Sequence, residues 1–216
     1  MPVVPIELGS QSNPGATGAI SSARLINCYV ENAGSEGKIP FPIVASDGFS
    51  AFATVSSGGR TRALLELGGV LYGVSGQRLF RCTSAGVVTD LGAFATSGYV
   101  TMDRNRRIPN ANIAVVSSDG IFRVITADVV TTPTVPTGIT FNSVAVMDGY
   151  FILTVANGEF YITSIDGTTI DELDFSKAES NPDGIEIAVT RGRDVCLFGL
   201  RSLEFWQNTG NIDFPF

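Results

Sequence analysis

The sequence contains no histidine. This absence excludes the Ser-His-Asp and Cys-His catalytic arrangements and most zinc sites, all of which need an imidazole. The phosphate-binding pattern GxxxxGK[ST] and the dinucleotide-binding pattern GxGxxG are also missing, which argues against nucleotide-driven chemistry. We therefore expect neither a cofactor nor a metal ion.

Cysteines and long apolar segments are scarce as well. The three cysteines, Cys28, Cys82 and Cys196, are widely spaced, and two of them lie in apolar strand patterns, so we expect reduced, buried thiols. No apolar run approaches the ~18 residues that cross a bilayer. The first residues, MPVVPIELGS, lack the cationic and apolar regions of a signal peptide. These features predict a protein that is made and folded in a cytoplasm, without a membrane anchor.

Positive charge is in the minority, with 14 Lys and Arg against 21 Asp and Glu and a net charge of −7. General nucleic-acid binders neutralise phosphates with many basic residues, so the balance argues against that class. One local cluster stands out, formed by Arg104, Arg106 and Arg107. It predicts either a contact with DNA or an acidic partner, or a solvated loop beside Asp103.

Long amphipathic stretches free of Gly and Pro are rare, and the 24 Gly and 10 Pro suit many short strands joined by turns. Four segments each contain an apolar strand, a tight turn and a second strand with an aromatic residue, which recurs at spacings of 42, 38 and 45 residues. These aromatics are Phe80, Phe122, Phe160 and Phe205. A period of roughly 40 to 45 residues is typical of a β-propeller, whose blades have four antiparallel strands. The sequence therefore predicts an all-β propeller with these aromatics, and Trp206, in its core.

The domain prediction divides the chain into residues 1–58, an N-terminal arm with the first strands, and residues 59–216, the blades. In the arm, residues 24–32 alternate so that one face is apolar, as a half-buried strand requires. The remaining length accommodates about three to four repeats, whereas closed propellers usually need four to eight blades. Either the ring is small and closed by the arm, or the chain is the N-terminal part of a longer protein. We favour the second alternative, which predicts an incomplete propeller.

The acidic residues occur in turns and in two candidate functional groups, one for cation binding and one for glycoside hydrolysis. Asp-Gly pairs recur and predict hairpin turns. In residues 166–174, Asp166, Asp171, Glu172 and Asp174 could bind a cation, but the stretch lacks the ligand alternation of a calcium loop, so we expect a turn and a short helical connection. Glycosidases need two carboxylates, and candidate pairs are Asp171 with Asp174 and Glu179 with Asp183.

The last segment of the sequence, residues 175–216, contains a dense set of distinctive residues: Ala178, Glu179, Pro182, Asp183, Gly184, Phe198, Gly199, Ser202, Glu204, Trp206, Asn208, Thr209, Gly210, Asp213, Phe214 and Pro215. In these residues the segment resembles the packaged-DNA stabilisation, or tail-hub, proteins of short-tailed (podovirus) phages. Weaker similarity extends through residues 148–151 and 71–82 to residues 24–32.

The resemblance implies a propeller-type subunit that forms a homo-hexamer below the portal and adaptor rings, at the head-tail connector. Such proteins close the tail after packaging and carry the needle or tailspike, and they are longer than this chain. The family members have no catalytic residues. The resemblance therefore implies a structural virion protein of the tail, which holds packaged DNA without sequence-specific binding and assembles in the host cytoplasm. An acidic lumen would let DNA slide.

The residues themselves leave roles and alternatives open. The turn chemistry of residues 182–184 and 208–210 predicts that the matching residues shape loops. A carbohydrate-binding or glycosidase-type propeller associated with a phage tail is the alternative function, and a cellular propeller scaffold is a third.

Overall fold

The computed structural model describes residues 26–31, 42–56, 59–178, 183–212 and 214–216. The chain forms two compact units, Met1–Ala51 and Phe52–Phe216. Every secondary-structure element assigned in the described residues is a β-strand, which confirms the all-β prediction. Three residues of the predicted motif lie outside the described residues: Glu179, Pro182 and Asp213. The separate role of residues 1–58 as an arm stays a prediction.

The described part of the first unit contains one small antiparallel sheet. Strand β1 (Cys28–Val30) pairs with β2 (Ile43–Ala45). Cys28 and Val30 are half-buried while Tyr29 between them is exposed, because side chains alternate along a strand. The strand expected from the apolar alternation of residues 24–32 is therefore confirmed over its described centre.

The second unit consists of antiparallel sheets in which each strand pairs with the next one along the chain. The first sheet contains β3 (Thr61–Leu67), β4 (Val70–Ser75), β5 (Arg78–Thr83) and β6 (Val88–Ala93). The second contains β7 (Val100–Arg104), β8 (Asn112–Ser117), β9 (Phe122–Thr126) and β10 (Val129–Thr131). The third contains β11 (Phe141–Met147), β12 (Tyr150–Val155), β13 (Glu159–Thr163) and β14 (Ile170–Lys177). The fourth contains β15 (Ile187–Arg191), β16 (Asp194–Phe198) and β17 (Leu203–Gln207).

These sheets are the blades of a β-propeller. The four predicted hairpins correspond to β4–β5, β8–β9, β12–β13 and β16–β17. The sheets pack in chain order, each on the next. The described sheets do not close into a ring, and the fourth has three strands, so the propeller is incomplete in this chain, as predicted.

A sheet with neighbours on both sides has two apolar faces, because each face packs against a neighbouring sheet. One buried cluster fills the space between each pair of neighbouring sheets. Between the first and second sheets the cluster contains Tyr72, Val74, Leu79, Phe94, Val100, Ile113, Val115 and Ile125. Between the second and third it contains Ala114, Val116, Phe122, Val124, Phe141, Val144, Phe151, Leu153, Val155 and Tyr161. Between the third and fourth it contains Ala145, Met147, Ile152, Phe160, Ile162, Ile185, Ala188, Val195 and Leu197.

The repeating aromatic residues do not share one environment. Phe80, Phe122 and Phe160 are buried, but Phe205 is 64% exposed, so its predicted core position is wrong. The reason is the two-residue alternation of a strand. Trp206 is directed toward the third sheet, where it is half-buried against Phe160, and its neighbour Phe205 must therefore point the other way.

The acidic stretch 166–174 also differs from the expectation. Its second half is not helical but begins the strand β14, which pairs with β13. The pairing shifts between Tyr161 and Thr163, so extra residues of β14 bulge outward at the edge of the sheet. Asp-Gly pairs do form the predicted turn between β11 and β12, where Asp148 and Gly149 have φ values of 52° and 91°.

Two opposite faces of the propeller hold the loops. The Asn105 face is defined by the β7–β8 loop (105–111), the β11–β12 turn (148–149), the β13–β14 loop (164–169) and the β15–β16 turn (192–193). The Asp119 face is defined by the β8–β9 turn (118–121), the β16–β17 turn (199–202) and the connections between sheets.

Candidate functional site

The innermost strands, which begin each sheet, are joined by side-chain hydrogen bonds. The Thr101 hydroxyl accepts the Val144 N–H at 2.9 Å, and Asp103 Oδ2 accepts the Val146 N–H at 2.8 Å. Burial raises the pKa of Asp103, because the charged carboxylate loses hydration. The polar groups of Thr101 and Asp103 are therefore used within the fold.

The same arrangement continues to the fourth sheet. The Ser143 hydroxyl accepts the Ala188 N–H at 3.0 Å, and the Asn142 amide donates to the Ile185 carbonyl at 2.7 Å. Ser143 and Asn142 are both buried. Successive inner strands are therefore held close together along the chain.

Tyr99 links the second and fourth sheets at the Asp119 face. It lies just before β7, and its hydroxyl donates to the carbonyl of Glu186, just before β15, at 2.5 Å. Burial and the charge of Glu186 raise the pKa of Tyr99.

The loop that carries the three predicted arginines is anchored by a buried asparagine. Asn105 has no exposed surface. Its Oδ1 accepts the Asn112 N–H at 2.8 Å, and the Arg106 N–H donates to Asp166 Oδ1 at 3.0 Å. These bonds fix the backbone of the loop against the β13–β14 loop of the third sheet.

The arginine side chains themselves point into solvent. Arg104, Arg106 and Arg107 are exposed, and within the described residues none of them forms an ion pair. Arg107 makes one long hydrogen bond to Asn112 Oδ1, at 3.4 Å, and Ile108 beside it is 89% exposed. The three predicted arginines are thus exposed in or beside one loop of the Asn105 face, here called the arginine protrusion, whose backbone is fixed, and exposed guanidinium groups can contact phosphate or carboxylate groups.

The motif residues of the last segment lie around the fourth sheet. Asp183 accepts the Arg201 N–H at 2.6 Å and the Ser202 hydroxyl at 2.7 Å. These bonds, led by that from Ser202, lower the pKa of Asp183. A Cβ on Gly199 would lie 2.7 Å from both Asp183 Oδ1 and the Gly184 carbonyl, so this junction requires glycine.

Aromatic packing fixes the other side of that sheet. The Trp206 ring meets Phe160 edge-on, with ring centroids 5.0 Å apart, and its indole N–H donates to Glu204 at 3.0 Å. The ring centroid of Phe214 lies 5.7 Å from that of Phe160. Ala178 packs against the same cluster.

Asn208 and Gly210 form the turn that follows β17. Asn208 donates to Asp148 of the third sheet at 2.9 Å, and its own Oδ1 accepts the Gly210 N–H at 2.9 Å. Gly210 has φ of 72°, a conformation that favours glycine. The described motif residues therefore join the third and fourth sheets.

The carboxylates considered for metal binding or glycoside chemistry do not form one site. Asp166 lies on the Asn105 face, whereas Asp171 and Glu172 are exposed on the outer edge strand β14. Burial, and then the charge of Asp171, raise the pKa of Asp174. Asp183 is bonded to the β16–β17 turn, and Glu179 lies outside the described residues. In the part of the chain that the structure describes, no group of three or more candidate ligands could hold a metal ion.

Sequence reasoning missed the clamp around Asp119. Its carboxylate accepts the hydroxyl of Thr96, the Ser97 N–H at 2.9 Å and the Gly98 N–H at 3.2 Å. The hydrogen bond from the Ser117 side chain, followed by those from the Ser97 and Gly98 N–H groups, lowers the pKa of Asp119 to about 2. Asp119 belongs to an Asp-Gly pair that predicted only a turn, and no local pattern reveals its partners.

A second missed cluster joins the first two sheets. The Tyr72 hydroxyl donates to Asp128 Oδ1 at 2.8 Å, and Arg81 pairs with Asp128 Oδ2 at 2.6 Å. Burial, followed by the hydrogen bond to Asp128, raises the pKa of Tyr72 to about 12. The partners are far apart in sequence, so only the packed fold shows them.

Comparisons with solved structures show the fold. The computationally designed Ika4 protein is 8% identical, with a TM-score of 0.55 over 74% of this chain and 99% of that one. The designed Ika8 protein is 9% identical, with a TM-score of 0.53 over 86% of this chain and 57% of that one. The WD40 β-propeller domain of Doa1 is 17% identical, with a TM-score of 0.50 over 68% of this chain and 49% of that one.

Comparison by sequence gives one match. The chain matches none of the curated proteins. A family model does match residues 41–216, and its description is bacteriophage P22 Gp10, β-propeller. Among the described residues, none belongs to a helix with the length and apolar character needed to cross a membrane.

Proposed function

Because the chain belongs to the bacteriophage P22 Gp10 β-propeller family, and is thus a phage structural protein associated with the virion, we propose that it is a tail-hub subunit. Copies form a ring, expected to be a hexamer, below the portal and adaptor, close the tail channel and stabilise the packaged DNA. The observation that carries this proposal is the family match over residues 41–216. That family favours a structural role without turnover.

The proposed role requires a channel for DNA, and a ring of several copies would leave one at its centre. A closed ring around such a channel is the simplest symmetric solution, because homo-oligomers are usually cyclic.

Charge supports a channel that confines DNA without gripping it. A net charge of −7 disfavours tight, sequence-independent binding to phosphates. The protrusion with Arg104, Arg106 and Arg107 provides a local contact with the packaged DNA or with an acidic surface of the adaptor or portal. The needle or tailspike proteins are proposed partners on the far side of the ring.

Electron microscopy of the purified protein, alone and with portal–adaptor particles, tests the proposal. We expect rings, and added density below the portal. Persistent monomers at high concentration that do not bind the particles would contradict it. Sugar release from host polysaccharide, lost on Asp171→Asn, would instead favour the carbohydrate-active alternative.

The arginine protrusion is tested in the same assay with the triple variant Arg104→Ala, Arg106→Ala and Arg107→Ala. We expect weaker binding to portal–adaptor particles or to DNA, with a smaller dependence on salt. Because these side chains make few contacts within the fold, the variant should unfold at the wild-type urea concentration. Unchanged binding would leave the protrusion as a solvated loop.

A further inference from the structure

Two loops of the Asn105 face are held together by buried asparagines. Asn105 and Asn112, which flank the β7–β8 loop, are both buried. The Asn105 side-chain amide donates to the Gly167 carbonyl, and the Asn112 side-chain amide donates to the carbonyl of the residue before it, both at 3.5 Å. The β7–β8 loop (105–111) and the β13–β14 loop (164–169) therefore form one fixed unit, here called the joined loops.

Each of the joined loops exposes one isoleucine. Ile108 is 89% exposed and Ile165 is 62% exposed. Ile165 lies over the β11–β12 turn, where a Cβ on Gly149 would be 3.2 Å from its Cγ1. A single exposed isoleucine is ordinary on a protein surface. Two of them on loops that are hydrogen-bonded to each other, with arginines beside them, give a surface that is both apolar and basic.

The joined loops belong to the two inner sheets of this chain. The second and third sheets each have four strands and share a buried cluster. Further blades would pack on the fourth sheet, as each sheet packs on the next, and would leave the loops of the second and third sheets at the Asn105 face. The exposure of these loops therefore does not depend on the open side of the fourth sheet.

The joined loops are positively charged, although the net charge of the chain is −7. The arginine protrusion contributes three exposed guanidinium groups. The acidic residue within the two loops is Asp166, whose Oδ1 accepts the Arg106 N–H at 3.0 Å. Among the described residues no carboxylate forms an ion pair with the arginine protrusion. Carboxylates of a partner would therefore meet guanidinium groups that the fold has not neutralised.

The isoleucines favour a protein over DNA as the partner. Contacts to a DNA backbone are made to phosphates and sugars, which are polar and hydrated and leave an isoleucine uncovered. The buried centre of a protein interface is apolar, and arginine is enriched there. Because the backbone of the joined loops is already fixed, binding costs little conformational entropy.

We propose that the joined loops dock on a protein whose matching surface is an apolar pocket bordered by carboxylates. Ile108 and Ile165 supply the apolar part of the contact, and the arginine protrusion pairs with the carboxylates. This proposal rests on the proposed tail-hub function, in which the partner is part of the portal–adaptor particle, and it selects protein over DNA as the ligand of the arginine protrusion.

Binding of the full chain to portal–adaptor particles and to duplex DNA tests the proposal. Ile108→Ser removes the most exposed apolar side chain and no charge. We expect the affinity for particles to fall at least tenfold, because burial of an isoleucine side chain changes an equilibrium constant by about ten- to a hundredfold. The loss should be similar at low and high salt, since no counterions are involved. The affinity for DNA should not change.

Leu200→Ser is the matched control. Leu200 is 72% exposed in the β16–β17 turn at the opposite face, beside the exposed Arg201. The control therefore makes the same kind of change next to an arginine, away from the joined loops. Both variants should form rings in sedimentation and unfold at the wild-type urea concentration, because both side chains are mostly exposed.

The outcomes separate the docking surface from the tail-hub function. Particle binding that falls in Ile108→Ser but not in Leu200→Ser, with rings intact, supports the docking surface. Particle binding by Ile108→Ser that equals the wild type overturns the docking surface and leaves the tail-hub proposal standing. Loss of rings in Ile108→Ser also overturns it, because the loops would then join copies of this chain.

Two further results would overturn the protein partner. DNA binding that falls in the triple arginine variant, while particle binding stays unchanged, assigns the arginine protrusion to DNA. A wild-type chain that neither forms rings nor binds the particles contradicts the tail-hub proposal, and the docking proposal fails with it.

Discussion

Phe160 and Phe205 occupy corresponding places in the sequence repeat, yet their replacement by alanine should have very different costs. Phe160 is completely buried and contacts the rings of Trp206 and Phe214. Phe205 keeps 64% of its surface exposed. A pattern-based view predicts equal losses, so the pair of variants tests the three-dimensional assignment.

The magnitudes follow from burial. Truncating a fully buried phenylalanine costs about 3–5 kcal/mol, because apolar contacts are lost and a cavity remains. Phe205 buries roughly a third of its surface, so Phe205→Ala should cost about 1 kcal/mol. The expected difference in unfolding free energy between the two variants is therefore about 2–4 kcal/mol.

Urea unfolding of dilute, unassembled protein measures both costs. Trp206 is the single tryptophan of the chain, and its fluorescence reports on the space between the third and fourth sheets. Phe160→Ala should shift the emission of the folded protein to longer wavelength, since Trp206 loses the ring that covers it. Phe122→Ala is a control between the second and third sheets, with a similar free-energy loss and an unshifted emission.

Similar losses for Phe160→Ala and Phe205→Ala would refute the reasoning. So would a Phe205→Ala loss above about 3 kcal/mol in the unassembled protein, because that cost requires a buried ring. A native emission shift in Phe122→Ala equal to that in Phe160→Ala would show that Trp206 does not report on one interface alone.

Two further predictions concern the loops of the Asp119 face. Gly184→Ala should lower the free energy of unfolding by about 1–3 kcal/mol, measured by urea unfolding. Gly184 has φ of 73°, and an added Cβ would lie 2.2 Å from the Ala156 carbonyl oxygen. An unchanged unfolding midpoint would contradict this prediction. The pKa of Asp119 is lowered to about 2 from 3.8, so its stabilising contribution is present above pH 4 and lost as the pH falls toward 2; unfolding midpoints measured across this range should fall less steeply for Asp119→Asn than for the wild type, and parallel pH profiles would count against it.

Local patterns were enough to predict the hairpins. The segments around Phe80, Phe122 and Phe160 alternate and turn at Gly76, Gly120 or Gly158, and each became the central pair of a blade. Propensity, turn chemistry and alternation act over a few residues, so these features can be predicted without the fold. The strand β14 was missed because its bulge interrupts the alternation and its acidic residues have low strand propensity.

The contacts of the candidate site could not be predicted in this way. The sequence showed Arg104, Arg106 and Arg107 as a cluster. The buried Asn105 that fixes their loop is hydrogen-bonded to Asn112 of β8 and to Gly167 of the β13–β14 loop, and no local pattern predicts the second partner. Asp119 showed only a turn pattern, and Asp183 was expected to shape a turn or to pair with Glu179. Each carboxylate in fact accepts several hydrogen bonds from another loop. Such partners are brought together by sheet packing.

The repeat of strands and turns by itself predicted a propeller, because the two-residue period of a strand and the 40-residue period of a blade are local features of the sequence. The resemblance to the phage family came from the residues of segment 175–216. Only the tertiary structure decided which side of each strand is covered. Phe160 lies between two sheets and Phe205 lies on a free face, and this difference depends on whether a neighbouring sheet is present, which no residue in the repeat itself encodes.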